Sequence, residues 1–294
     1  MGMPQVTVVL PVYNGARYIK EALDSVFAQT FRDFEVICIG NGSTDETRSI
    51  LEGYGERIRV LRRQNRGPCG GRNEGVRKAT AQYIAFLDHD DYWYPRKLEQ
   101  QVAVLSAEPD AVLVLCNSDR MDAEGRLLQV GATLIERATM RDSPLGRLME
   151  ADQLLSSAVL VRRDAFERAG MYDEELRGFE DFDLCARLKQ EGRFVFLEES
   201  GMCYRVHSAS LSHAGKETVV QSRERFLLRM KALYVADELK QKLISVMLAE
   251  CYSDWGMHEV RSGRGSEGRR MLLRSLHLNP HKFRTYSRLF RSYL

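Results

Sequence analysis

Strand and helix patterns alternate over the first 116 residues, and this alternation restricts the fold more than any other feature of the chain. Amphipathic helical patterns lie between five apolar runs of strand length, at 5–10, 34–39, 58–61, 83–87 and 111–116. Strands that alternate with helices form a parallel sheet covered by helices on both faces. We therefore predict an α/β fold with a mostly parallel central sheet and flanking helices.

The pattern changes after residue 116. It predicts a hairpin at 123–125, a short strand at 157–161 and helices at 163–169 and 181–191. Only helical patterns follow Lys216. We therefore predict an α/β body at 1–215 and an all-helical C-terminal extension at 216–294.

The net charge of +2 conceals an uneven distribution of charge. Residues 216–294 contain 16 Lys and Arg against 8 Asp and Glu, whereas residues 1–215 contain 27 against 33. The six scattered cysteines form no C-x-x-C pair, which is typical of a reduced, cytoplasmic protein. No run approaches the roughly 20 apolar residues of a membrane span. No leader pattern precedes the first strand, so we expect a cytoplasmic location.

The predicted strand at 83–87 runs directly into Asp88-His89-Asp90-Asp91. Ligands of open α/β sheets bind outside the carboxyl ends of the strands. An Asp-x-Asp at that place offers oxygen ligands to Mg²⁺ or Mn²⁺, and the metal can hold a diphosphate. The pattern alone is equally compatible with a solvated acidic turn.

Several short motifs, in this order and spacing, resemble those of the family 2 glycosyltransferases over residues 5–213. They are Leu10-Pro11-Val12-Tyr13-Asn14, Gly42-Ser43-Thr44-Asp45, Asn65-Arg66-Gly67, Gly71-Arg72-Asn73-Glu74-Gly75, Phe86-Leu87-Asp88-His89-Asp90-Asp91 and Glu180-Asp181. The resemblance implies the Rossmann-like GT-A fold and the use of a nucleotide-sugar donor. It also implies a nucleotide-binding half at about 1–117 and an acceptor-side half at about 118–215.

The resemblance assigns a divalent cation, Mn²⁺ or Mg²⁺, to the acidic motif. Asp90 is the expected direct ligand, and Asp88 approaches the ribose or the metal and its waters. His207 lies where relatives place a histidine that completes the metal or diphosphate site, although a lone histidine after a strand is also common as a surface residue. An imidazole beside two carboxylates favours Mn²⁺ somewhat over Mg²⁺.

The nucleobase site of the family corresponds to Pro11, Tyr13 and Asn14, at the end of the first strand. Tyr13 can stack on a base or pack on the next helix. Relatives commonly have Asp-Asp before Gly-Ser, whereas this chain has Gly40-Asn41. Because Asn41 is a neutral and weaker acceptor than an aspartate, this difference leaves the choice of nucleobase open. UDP ranks first, with dTDP and GDP as alternatives.

Arg72 and Asn73 lie at the start of a predicted helix, near the diphosphate if the family arrangement holds. A helix N-terminus with a guanidinium is a natural anion site. The alternative is an arginine paired with a nearby acidic residue of the surface.

The pair Glu180-Asp181 opens a predicted helix and faces the acceptor in the family. Asp181 is the expected general base for the attacking hydroxyl, and Glu180 is expected to orient the acceptor or the base. No additional nucleophile is evident, which favours a single displacement with inversion. Trp93 either offers a face to the acceptor sugar or anchors the loop.

Residues 261–294 contain nine Lys and Arg and one acidic residue, Glu267, among apolar positions at helical spacing. Such helices can lie on anionic lipid. They can also pack on the body or on a second subunit, as in a homo-oligomer. Nucleic-acid binding is not expected, because the basic residues are confined to the tail and no reader motif is present.

These expectations combine into a metal-dependent inverting glycosyltransferase of hexosyl or N-acetylhexosaminyl type. It would transfer the sugar to a hydroxyl of a glycan or lipid-linked glycan, in bacterial surface-polysaccharide synthesis, as a peripheral protein of the inner face of the plasma membrane. The alternative is a non-catalytic nucleotide-binding or assembly subunit, which Gly40-Asn41 favours. Retention of Asp88, Asp90 and Asp181 favours the enzyme.

Overall fold

The structure is a computed structural model that describes residues 2–62, 64, 67–140, 143–149, 155–176, 178–207 and 216–293. The motif at 65–67 therefore lies partly outside the described residues. The chain divides into two compact units. Unit 1 comprises Met1–Met140, Asp152–Glu174 and Glu180–Ser210, and unit 2 comprises Arg141–Ala151, Glu175–Phe179 and Leu211–Leu294.

The described part of unit 1 contains one nine-stranded sheet. Its strands are β1 (Val6–Val12), β2 (Phe34–Gly40), β3 (Arg59–Arg62), β4 (Tyr83–Phe86), β5 (Tyr92–Trp93), β6 (Ala111–Met121), β7 (Leu127–Gln129), β8 (Val159–Arg162) and β9 (Arg193–Arg205). The order is β3-β2-β1-β4-β8-β6-β9-β5, and β7 pairs with β6. The first four strands are parallel to one another, as are β6 and β9, whereas β8 is antiparallel to both of its neighbours.

Helices connect the strands of unit 1, and further helices belong to unit 2. Those of unit 1 are α1 (Ile19–Phe27), α2 (Thr47–Glu52), α3 (Gly67–Lys78), α4 (Lys97–Ala107), α5 (Ala132–Met140), α7 (Arg163–Arg168) and α8 (Glu180–Leu188). Those of unit 2 are α6 (Pro144–Met149), α9 (Lys216–Leu233), α10 (Glu238–Arg261), α11 (Gly265–Leu278) and α12 (Phe283–Arg291). The predicted α/β class with a helical C-terminal part is confirmed.

Strand β1 is buried along its whole length, as expected for a parallel strand covered on both faces. Val8 belongs to a core cluster that includes Leu23 of α1. Its neighbour Val9 faces α3, where a Cβ added to Gly75 would lie 2.2 Å from a Val9 methyl group. Glycine at position 75 therefore lets α3 approach the sheet closely, and this approach places the side chains at the start of α3 beside the carboxyl edge of β1.

Unit 2 is held together mainly by the packing of α10 on α11. Their buried faces carry Met247, Leu248, Met271 and Leu272. A Cβ on Gly256 would lie 2.7 Å from a backbone oxygen of α11, so a glycine is required at this crossing. None of the helices in the described ranges has the length and apolarity needed to cross a bilayer.

Candidate active site

The loops that follow β1 and β2 interlock at the carboxyl edge of the sheet. Asn14 has a left-handed φ of 49°, which an asparagine tolerates better than most residues. Its amide N–H donates to Ser43 Oγ at 3.0 Å, and its side-chain oxygen accepts from the Thr44 N–H at 2.8 Å. Asp45 Oδ2 accepts from the Ala16 N–H at 3.1 Å. Asn14 therefore fixes the shape of this edge.

The predicted nucleobase residues lie at the same edge. Tyr13 is 44% exposed, so its ring is free to stack on a ligand, whereas Pro11 and Asn41 are buried. A Cβ on Gly71 of α3 would lie 3.0 Å from Pro11 and 3.2 Å from the Asn41 amide. A Cβ on Gly40 would meet only one backbone oxygen, at 3.8 Å, so Gly40 leaves space beside Asn41.

Asp91 is the buried anchor of the acidic motif. Ser157 Oγ donates to one of its oxygens at 2.5 Å, and the Arg205 backbone N–H donates to the other at 3.1 Å. Burial, reinforced by the charges of Asp88 and Asp90, raises the pKa of Asp91 well above its usual value. These two hydrogen bonds anchor the loop that follows β4.

Asp90 and His207 face each other, with Asp90 Oδ2 2.8 Å from His207 Nε2. The His207 ring also packs against the Tyr18 ring, with centroids 5.3 Å apart. Arg205, which is 2% exposed, donates from Nε to the Asp90 backbone oxygen at 2.9 Å and pairs with Glu21 at 2.5 Å. Sequence reasoning missed Arg205, although it lies only two residues before His207.

Asp88 forms an ion pair with Arg72 of α3. Arg72 is 5% exposed, and its Nε is buried without a hydrogen-bond partner among the described residues. Its guanidinium lies 5.5 Å from the centre of the Tyr172 ring. The partner of Arg72 is thus an acid of the Asp-x-Asp motif itself, and the predicted place of Arg72 near the diphosphate stays a prediction.

The predicted metal ligands do not form a finished cluster. Among the described residues, no three His, Cys, Asp or Glu side chains are arranged closely enough to hold a metal ion. Asp90 and His207 are adjacent, whereas Asp88 is engaged by Arg72. A carboxylate and an imidazole are suitable donors for Mn²⁺ and acceptable for Mg²⁺. Asp90 and His207 are therefore suitable ligands for a metal ion. Asp88 could join them only if it left Arg72.

Asp181 lies in the first turn of α8. Its Oδ1 accepts from Ser156 Oγ at 3.2 Å and from the Tyr172 hydroxyl at 3.1 Å. Burial raises the pKa of Asp181 to about 6, while Arg72 lowers it and Glu180 raises it further. Glu180 Oε2 is buried without a hydrogen-bond partner among the described residues. A carboxylate with this pKa is suited to general base catalysis near neutral pH.

Arg72 connects the two groups of acidic residues. It contacts Asp88 directly, lies against Tyr172, and acts electrostatically on Asp181. Tyr172 in turn donates to Asp181. The structure therefore brings the acidic motif and the predicted base into one continuous site.

Sequence reasoning missed Tyr172 as a part of this site. The signal available in the sequence was Gly170, a typical residue after a helix end, and in the structure Gly170 has a φ of 84°. Asn73 holds the Tyr172 backbone, accepting from its N–H at 3.0 Å and donating to its oxygen at 2.9 Å. Both ends of this buried amide are thus engaged in holding Tyr172, and the predicted place of Asn73 near the diphosphate stays a prediction.

The structure favours one of the two predicted roles of Trp93. Its side chain is completely buried, and its indole N–H donates to the Ser157 backbone oxygen at 2.8 Å. A buried ring offers no face to a sugar, so the loop-anchoring alternative fits the structure. His89 packs on the loop after β1, where a Cβ on Gly15 would lie 2.6 Å from its ring.

Comparison with known proteins gives a family match. The model of glycosyl transferase family 2 matches residues 7–167. Uncharacterized glycosyltransferases of Rickettsia prowazekii and Rickettsia typhi are each 31% identical, over 212 and 216 residues; the match covers 71% of this chain and 66% of each relative. The glycosyltransferase GlyA of Streptococcus pneumoniae is 26% identical over 230 residues, which cover 72% of this chain and 32% of GlyA.

Solved structures show the same fold. S. aureus TarS 1–349 in complex with UDP-GlcNAc has a TM-score of 0.71 at 19% identity, covering 98% of this chain and 89% of that chain. TarS 1–349 in complex with UDP has a TM-score of 0.58 at 18% identity, with the same coverage. At this level of identity the similarity shows the fold alone.

Proposed function

Because the chain belongs to glycosyl transferase family 2, we propose that it transfers a sugar from a nucleotide diphosphate donor to a glycan hydroxyl, with inversion at the anomeric carbon. One observation supports this above the others: buried Arg72 pairs with Asp88 of the acidic motif and lies against the tyrosine that holds Asp181. A donor-side acid and an acceptor-side base must share one site for a single displacement.

The donor in this proposal is a UDP-sugar of hexosyl or N-acetylhexosaminyl type. The TarS structures hold UDP-GlcNAc and UDP, which favours uracil. Exposed Tyr13 offers a ring to the base, and the carbonyl of Asn41 can accept one hydrogen bond from it. The dTDP and GDP donors are alternatives, because Gly40 leaves room beside Asn41.

Asp90 and His207 would hold Mn²⁺ or Mg²⁺, with Asp88 approaching the same ion or the ribose. Such a cation, when bound, neutralises the negative charge that develops on the departing diphosphate. The Arg72 side chain keeps Asp88 at this edge, and its unbonded Nε–H is a donor for a ligand atom.

Asp181 takes the proton of the acceptor hydroxyl as the new C–O bond forms. Ser156 and Tyr172 both bind Oδ1, and no described hydrogen bond engages Oδ2. The two donors therefore orient the carboxylate and leave one oxygen for the acceptor. Because the pKa of Asp181 is about 6, most of the base is ionised at neutral pH.

The acceptor in this proposal is a glycan or lipid-linked glycan of bacterial surface-polysaccharide synthesis, at the inner face of the plasma membrane. The bacterial glycosyltransferase relatives support it. Basic residues at 261–294 support contact with anionic lipid. In this proposal residues 1–215 form the catalytic body and residues 216–294 the helical extension.

A screen of nucleotide sugars tests this function without knowledge of the acceptor. We expect one of the UDP-sugars to raise the melting temperature in the presence of Mn²⁺ and to be hydrolysed slowly. Binding without hydrolysis or transfer would favour the non-catalytic alternative. Failure of all UDP, dTDP and GDP sugars to bind would contradict both.

A further inference from the structure

The helical unit 2 contains a groove of about 730 Å³ that no step of the proposed reaction uses. We call it the basic groove. It is lined by α9, α10, α11 and Tyr293, and its apolar part includes Leu228, Leu248 and Leu273. Five basic side chains and no acidic one occur among the described residues that line it: Lys231, Arg269, Arg270, Arg274 and His277.

Three cations of the basic groove have no carboxylate partner in the part of the chain that the structure describes. Among the described residues, no carboxylate forms an ion pair with Lys231, Arg269 or Arg274, whereas Arg270 pairs with Glu267 at 2.6 Å. Arg269 instead donates to a backbone oxygen at 2.9 Å and lies 4.8 Å from the centre of the Tyr293 ring. The Arg269 guanidinium is thus held in position while its charge stays available to a bound anion.

An exposed row of aromatic side chains continues from the basic groove along α12. We call it the aromatic stripe: Phe283, Tyr286, Phe290 and Tyr293, which are 82, 49, 69 and 70% exposed. A spacing of three and four residues places Phe283, Tyr286 and Phe290 on one side of α12, and Tyr293 follows the end of the helix. Thr285, on the other side, is buried against Ser253. Tyr293 belongs to both the stripe and the groove.

We propose that the basic groove binds the phosphate group of an anionic phospholipid, while the aromatic stripe lies in the membrane interface. The cations match a phosphate, the leucines match the first part of an acyl chain, and exposed aromatic rings next to basic residues are typical of interfacial helices. A second copy of the chain would bring an equally basic groove, which argues against self-association through this face. The inference deepens the membrane contact proposed above and rests on it.

Sedimentation of the full chain with vesicles tests this site. Vesicles of phosphatidylcholine alone are compared with vesicles that also contain phosphatidylglycerol, and only the second kind should bind. Each groove cation should contribute about fivefold to vesicle binding. The double variant Lys231→Gln/Arg274→Gln should therefore weaken binding about 25-fold. The matched control Lys242→Gln/Arg261→Gln removes the same charge from two exposed residues outside the groove and should weaken binding less than about threefold.

Two further measurements separate the specific site from its rivals. Soluble dihexanoyl-phosphatidylglycerol should compete for the groove, whereas glycerol phosphate at the same concentration should not. The surface variant Phe283→Ser/Phe290→Ser should lose vesicle binding but keep the short-chain lipid. Equal losses in the groove and control variants, or equal competition by glycerol phosphate, would overturn the proposal. Unchanged melting and nucleotide binding in every variant keep its failure distinct from failure of the proposed reaction.

Discussion

Charged side chains are used differently in the two units. In unit 1, Arg72 pairs with Asp88, and Asp90 lies against His207. In the basic groove of unit 2, Lys231 and Arg274 form no ion pair with any described carboxylate. A buried charge must be compensated inside the protein, and the compensating contacts fix its position. An exposed, unpaired charge adds little to the internal structure of the protein, and it is instead available to bind a ligand of opposite charge.

Removing the proposed base, Asp181, should reduce the transfer rate more than any other change in unit 1. Asp181→Asn keeps the shape of the side chain but cannot take a proton, so we expect about a thousandfold loss of transfer rate. Donor binding, measured by thermal shift, should be unchanged. Asp164→Asn is a matched control, because Asp164 also lies in a first helical turn but is exposed and away from the site. Full turnover in Asp181→Asn would remove it as the base.

Breaking the buried ion pair should cost stability as well as activity. Arg72→Met leaves Asp88 without its partner, and we expect about 3 kcal/mol of destabilisation, the low end for a buried pair because Asp88 is partly exposed. Since Arg72 lowers the pKa of Asp181, its loss should raise that pKa and shift the acid limb of activity to higher pH.

The control for this change is Arg77→Met in the same helix. Arg77 is half exposed, with carboxylates at 3.8 and 3.9 Å, so we expect a change within about 0.5 kcal/mol. Denaturant unfolding measures the stability, and a pH–rate profile measures the shift. Equal destabilisation in both variants would show that the buried Arg72–Asp88 pair stabilises unit 1 no more than the exposed contacts of Arg77 do.

A smaller effect is expected from the tyrosine that positions the base. Tyr172→Phe removes one of two donors to Asp181 Oδ1 but keeps the ring that packs on Phe86 and Phe166. We expect about a tenfold loss of rate, from a loss of one hydrogen bond to a charged group, with little change in donor binding. Tyr94→Phe, which removes a similar bond to Asp119, should leave the rate unchanged.

The sequence predicted the parts of the site that follow from strand ends and helix starts. The alternating patterns gave the parallel strands, and the edge rule placed Asp88 and Asp90 correctly at the end of β4. The position of Asp181 in a first helical turn also followed from the helical pattern at 181–191.

The pairing within the site could not be predicted from the sequence. The Arg72–Asp88 pair depends on how closely α3 approaches β1, which in turn depends on the missing Cβ of Gly75. Trp93 belongs to a strand of only two residues, too short for alternation to show which way the ring points. Contacts between distant segments, rather than local patterns, determine both.

The most direct test of the shared site is the pH dependence of donor turnover. We measure hydrolysis of the preferred UDP-sugar by the wild-type chain and by Asp181→Asn between pH 5 and pH 8. Because Asp181 acts only when ionised and its pKa is about 6, the wild-type rate should fall as the pH drops below that value. The variant should be slow and show no such limb. An unchanged limb in the variant, at a similar rate, would contradict the account.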